Sequence, residues 1–193
     1  RVGILINSAG VVSGRTFLEL SAAQIERTIG VNTLALFWTA RVFLPDMVEA
    51  GSGHIVTLAS AAGLIGVAGL SDYCASKWAA VGLDESLRVE LKQRAPGVRT
   101  TIVCPYFVDT GMFRGVQTRF PRLLPILPEE RVAERVVQAI CRNRARVTTP
   151  WLVRFVPLLR MLPLRAFDGL SNWFGINAAM QSYEGRQDAG VGR

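Results

Sequence analysis

Short β-branched apolar runs alternate along this chain with segments of helical length and pattern, and that alternation leaves few folds open. Val2 to Ile6 is a Leu- and Ile-rich run that stops at Asn7-Ser8-Ala9-Gly10 and reads as a buried parallel strand feeding a turn. Ser21 with Gln24 has the spacing of a capping box, which starts a helix ending near Gly30. A second, strongly apolar helix is expected over 33–50, interrupted at Pro45. His54 to Ser60 reads as a strand, Asp72 to about Ala95 as a long helix, and Arg99 to Pro105 as a strand. After a proline-punctuated loop, Glu129 to Cys141 is expected to be helical and Arg146 to Pro150 to form a last strand. Strands that alternate with helices call for an α/β fold, a parallel sheet covered on both faces.

With 193 residues, half of them apolar, the chain is long enough to bury one core. Cys74, Cys104 and Cys141 are odd in number and widely spaced, with only His54 beside them, so neither a disulfide framework nor a metal site is expected. A reducing compartment fits best. The chain opens in what reads as the middle of a strand, so an N-terminal portion of the domain is expected to precede it, and a membrane anchor in that portion stays open. No run of eighteen or more uncharged apolar residues is present.

One pair of residues stands out against this composition. The chain holds three tyrosines and two lysines, and chance alone gives about 0.03 Tyr-x-x-x-Lys pairs in such a chain. Yet Tyr73-Cys-Ala-Ser-Lys77 is present. Positions i and i+4 share a helix face, so the two side chains should stand one above the other near a helix start. A cation so placed favours phenolate and is expected to lower the tyrosine pKa toward the working pH, which would suit Tyr73 to general acid/base chemistry. Ser60 ends a strand thirteen residues earlier, at the sheet edge where ligands bind in such folds, and its hydroxyl could hold an alcohol or carbonyl oxygen. Nothing in the chain carries a hydride, so redox chemistry here requires a cofactor.

The set Asn7-Ser8-Ala9-Gly10, Asn32, Ser60, Tyr73, Lys77 and Pro105-Tyr-Phe-Val-Asp-Thr110 resembles the short-chain dehydrogenase/reductase family over almost the whole chain, as the later two thirds of such a domain. The resemblance implies a Rossmann-type doubly wound parallel sheet. It implies Tyr73 as acid/base, Lys77 lowering its pKa and holding the ribose hydroxyls, Ser60 orienting the substrate oxygen, and Asn32 anchoring a water of the proton relay. Asn7, Ala9 and Gly10 would lie beneath the adenosine side of the cofactor, and Pro105, Val108 and Thr110 would hold the nicotinamide carboxamide. Ser8 departs from the family's second asparagine, and Tyr106 stands where many members have glycine. No glycine-rich loop opens a helix in these residues, so the choice between NAD and NADP is not readable and this chain alone should bind a dinucleotide poorly.

Within the family, "CPYFVDTGMFRG", "GHIVTLASAAG" and "DYCASKWAAVG" are similar to the branch of retinol dehydrogenases, the epidermal type and type ten, with 17β-hydroxysteroid dehydrogenases eleven and thirteen as relatives. That implies a lipophilic alcohol substrate, a retinoid first and a steroid or other lipid second, a homodimer, and a place at the cytoplasmic face of endoplasmic reticulum or lipid droplets, or in the cytoplasm of a bacterium. A protein that keeps the fold only to bind a lipid surface is the reading from another class, and the intact Ser60, Tyr73 and Lys77 set argues against it. The expected organisation is a catalytic domain over 1–150, an apolar and basic extension over 151–183 that caps the substrate pocket or touches a membrane, and a flexible tail over 184–193. The net charge of +7 is carried by arginines diluted in apolar sequence, which does not suggest nucleic acid.

Overall fold

A computed structural model describes residues 1–185; the expected tail lies almost wholly outside them. Four strands, β1 (Ile4–Asn7), β2 (Gly53–Leu58), β3 (Val98–Pro105) and β4 (Arg146–Thr149), form one parallel sheet in the order β1-β2-β3-β4. The connecting helices are α1 (Ala22–Ile29), α2 (Ala35–Glu49), α3 (Ser71–Arg94) and α4 (Glu129–Cys141), and after β4 come short turns and α5 (Val156–Leu159) and α6 (Leu164–Trp173).

Alternation along each strand sorts the core into two layers. Ile55 of β2 packs with Met47 of α2 and Leu91 of α3, while Val56 and Val103 face Val136 of α4 on the other side. Ile102 and Cys104 turn back toward Ala80 and Val81 of α3. At β1 one face meets the core of the described residues. Leu5 is covered by Phe43 and Leu44, but Ile4 and Ile6 are each 49% exposed, because α4 reaches β3 and β4 and no described helix covers β1 on that side.

Local sequence sets the helix starts. Ser21 accepts a hydrogen bond from the Gln24 amide at 3.2 Å while the Gln24 side chain receives the Ser21 amide at 3.0 Å, the reciprocal capping box. Two expectations for the second helix are corrected. It runs through Pro45 without interruption, and its first turn, Gly30–Leu34, is a wider π turn in which the Ala35 amide reaches the Gly30 carbonyl.

Asp84 on α3 is 5% exposed, and burial raises its pKa from the ordinary carboxylate range to about 6, against the opposing pull of Thr100, Arg88 and Arg146. The folded state therefore binds the proton more tightly than the unfolded chain, so stability falls as pH rises from about 4 to 6. In Asp84→Asn this loss, up to about 3 kcal/mol, is expected to disappear. Urea unfolding at pH 4 and pH 7 checks it; an equal pH slope in both proteins would refute the assignment.

Candidate active site

Because every strand runs the same way, the segments that leave their carboxyl ends meet along one edge, and the sequence-predicted residues are distributed over them. Asn7 closes β1 and Ala9 and Gly10 follow it, Ser60 follows β2, and Pro105, Val108 and Thr110 close β3 and its loop. Asn32 comes from the π turn and Tyr73 and Lys77 from the first two turns of α3.

All four residues expected to be catalytic are buried: Asn32, Ser60, Tyr73 and Lys77. The Lys77 Nζ donates to the Leu58 carbonyl at 3.0 Å and stands 5.6 Å from the centre of the Tyr73 ring. Gly10 comes close to it, since a Cβ on Gly10 would lie 3.5 Å from both Lys77 Nζ and Asn32 Oδ1. Gly63 has no such room: a Cβ there would meet the Lys77 carbonyl oxygen at 2.6 Å, so the second strand's exit presses directly on α3. Ser60 accepts the Ala62 amide at 3.1 Å and starts the turn 61–63.

The electrostatics differ from the sequence expectation at one point. Burial pushes the Tyr73 phenol above its ordinary value, with Ser60 as the opposing influence, so Lys77 does not bring it down toward neutrality. Burial also lowers the Lys77 pKa, to about 8. Each charge is disfavoured singly, and a phenolate formed beside the ammonium offsets both losses.

Asn32 is tied up more fully than its expected role requires. Its Oδ1 accepts the Val11 amide at 2.8 Å, and its Nδ2 donates to the Val11 carbonyl at 2.9 Å and to Ser76 Oγ at 3.0 Å. Both amide hydrogens are used, so the side chain braces the loop after β1 against α3. Ser76 in turn donates to the Tyr73 carbonyl at 2.7 Å. Asn7 is likewise a brace, its Oδ1 accepting from Thr39 of α2 at 3.0 Å. Beyond β3, Val108 pairs with Leu127 in an isolated bridge, and the Thr110 amide reaches the Val108 carbonyl at 2.9 Å.

Sequence reasoning passed over Asp72, next to Tyr73. Its Oδ2 accepts from Ser13 at 2.7 Å and from Thr28 at 2.8 Å, which gathers the β1 loop, α1 and the start of α3, while its Oδ1 is buried without a partner. The partners lie 59 and 44 positions away, and no local spacing announces them.

Against Ser60 and Tyr73 lies a cavity of about 340 Å³. Its wall is otherwise almost wholly apolar: Leu70 and Phe113 on one side, and Val153, Phe155, Phe167 and Leu170 of the segment after β4 on the other. Tyr73 and Phe113 meet edge to face with ring centres 5.6 Å apart. Residues of 151–176 thus line the cavity whose wall includes Ser60 and Tyr73.

The parallel sheet, with a tyrosine, a lysine and a serine gathered at its carboxyl edge, defines an α/β domain of the nucleotide-binding, doubly wound class. The sequence pattern described as short chain dehydrogenase matches residues 1–119, and the chain belongs to that family. It is 44% identical over 184 residues to human epidermal retinol dehydrogenase 2, covering 94% of this chain and 60% of that protein. Human retinol dehydrogenase 10 is 44% identical over 186 residues, covering 94% of this chain and 54% of that one. The chain thus spans little more than half the length of these curated relatives. Among solved structures, a short chain dehydrogenase/reductase from Burkholderia phymatum in complex with NAD superposes with a TM-score of 0.71 at 29% identity, over 83% of this chain and 66% of that one.

The described residues fit the nicotinamide end of a dinucleotide. Lys77 spends one of its three donors on Leu58 and keeps two for hydroxyl oxygens, and the absence of a side chain at Gly10 leaves a cradle directly beside the ammonium. The pyrophosphate-binding glycine loop is not among the residues of this chain.

Proposed function

We propose that the protein is an NAD(P)-dependent oxidoreductase that interconverts a lipophilic alcohol and its carbonyl, with retinol and retinal as the leading pair and a hydroxysteroid or other lipid alcohol as the second. The observation that carries this is the position of Ser60 and Tyr73 on the wall of an otherwise apolar cavity of about 340 Å³. That volume lies within the range of small-molecule sites, and its lining suits a hydrocarbon body with one polar end. The two retinol dehydrogenases above support the retinoid.

In oxidation, Ser60 holds the substrate hydroxyl and Tyr73 takes its proton as phenolate, the adjacent Lys77 ammonium stabilising the charge. A nicotinamide dinucleotide, when bound, supplies the acceptor or donor of the hydride. Lys77 would hold its ribose hydroxyls, Pro105, Val108 and Thr110 would hold its carboxamide, and Asn7, Ala9 and Gly10 would border its adenosine side. Asn32 fixes the loop after β1 and would anchor any water of the proton relay there. The segment 151–176 caps the pocket, and α2 and α3, with Trp38, Val42 and Val89 exposed, pair two copies. A membrane surface is the expected location for so apolar a substrate.

Reduced nucleotide should accumulate when the full-length protein meets all-trans-retinol in detergent with NAD or NADP. Turnover with one nucleotide names the cofactor. A protein that binds dinucleotide but turns over a hydroxysteroid and not retinol would move the substrate to the second reading, and binding of lipid with no turnover of any alcohol would refute the enzyme.

A further inference from the structure

The open edge of the sheet bears a second cavity, of about 400 Å³, that this chemistry does not use. Arg135 of α4, Arg144 just before β4, Arg146 at its start and Arg154 beyond it all line it, together with Trp151 and Pro157, and no acidic side chain does. Glu85 holds Arg146. Among the described residues, Arg135, Arg144 and Arg154 have no carboxylate within ion-pair distance. Like charges collected in one cavity repel, and an anion relieves the repulsion. Guanidinium groups match the oxygens of a phosphate in particular, through paired N–H donors.

The same cavity borders an apolar surface. Trp151 is 58% exposed, Leu158 62%, Met161 80% and Leu164 78%, all within one short segment. Leu158 also lines the apolar cavity next to Tyr73. So a single stretch of chain has arginines on one flank and the substrate cavity on the other, the pattern of an interfacial surface that meets headgroups and acyl chains together. A second copy of the chain is the competing occupant for an edge strand, but an isologous pair here would present the same arginine-lined patch from both copies and supply no carboxylate to it.

We propose that the arginine cavity takes the phosphate of an anionic phospholipid at a bilayer surface, with the exposed side chains of 151–164 set into the interface so that the apolar cavity faces the lipid. The headgroup site stands on its own observations; only the delivery of substrate from the bilayer rests on the lipid-alcohol reading.

The test is partition of the full-length protein onto vesicles of phosphatidylcholine with and without phosphatidylserine, over a series of lipid concentrations. The protein is expected to prefer the anionic vesicles. Arg144→Gln with Arg154→Gln should weaken binding to them about 30-fold, since each arginine at such a surface contributes about fivefold, and should leave binding to phosphatidylcholine alone unchanged. The apolar pair Met161→Ser and Leu164→Ser should weaken both. Equal binding of parent and arginine variant to anionic vesicles would overturn the proposal, and so would calorimetric binding of inorganic phosphate without any preference for anionic vesicles. Vesicle-free turnover of a short soluble alcohol separates the two readings. A protein that turns it over yet shows no anionic preference fails this inference alone, whereas one that prefers anionic vesicles but never turns over any alcohol fails the enzyme and keeps the headgroup site.

Discussion

Tyr73→Phe is expected to lower turnover by about 10²- to 10⁴-fold, the contribution of a positioned proton-transfer group, while leaving the fold intact. Phenylalanine keeps the ring that meets Phe113 edge to face and keeps the helix position whose carbonyl accepts from Ser76. What it removes is the phenolic oxygen beside the substrate cavity. The check is steady-state turnover of parent and variant side by side, with circular dichroism and thermal unfolding to show that both are folded. Activity within about tenfold of the parent would remove Tyr73 from the chemistry, because a proton taken by water or by Ser60 alone does not approach the effect of a fixed base.

Lys77 gives the second large effect, and two substitutions separate its charge from its shape. Arginine keeps the charge, but a planar fork must enter a site built around one nitrogen that lies 3.0 Å from the Leu58 carbonyl. A displacement of this kind is expected to lower kcat/KM at least about a hundredfold. Methionine keeps the length and apolar stem but loses the charge, and should remove activity without loss of stability. The reason lies in the burial that lowers the Lys77 pKa to about 8. Between about pH 8 and the ordinary lysine value, the unfolded chain binds the proton and the folded one has released it, so the parent gains stability as pH rises through that window, up to about 3 kcal/mol. Below pH 8 both states are charged and the burial penalty is constant. Lys77→Met should lack this rise, and denaturant unfolding at pH 7.5 and pH 10 measures it. A parent and variant with the same pH slope would show that Lys77 is not buried as a charge.

Much of the fold was legible because it is written locally. The Ser21–Gln24 box, the helix Glu129–Cys141 and the runs of β2 and β3 each depend on residues within a few positions of one another. The family resemblance named the residues to look for, and the parallel sheet brings Gly10, Asn32, Ser60, Tyr73 and Lys77 to one edge. What was hidden depends on distance along the chain. Pro45 has the composition of a breaker, yet α2 continues through it, since packing of Phe43, Leu44 and Met47 against the sheet outweighs one lost hydrogen bond. The direction of the Tyr73 shift also depends on tertiary burial, because a helical i, i+4 spacing fixes which side chains are neighbours and says nothing of how much water surrounds them. The Ser13–Thr28–Asp72 cluster joins three separate segments, so no periodicity could disclose it.

The division of labour along the chain has an evolutionary consequence. The groups that would move protons come from the π turn, the exit of β2 and the first turns of α3, all before residue 80, whereas one side of the substrate cavity comes from a contiguous stretch after β4. Selection can therefore rewrite that stretch without touching the reaction. A chimaera that exchanges only this piece is expected to change what the cavity admits while keeping every residue before position 80.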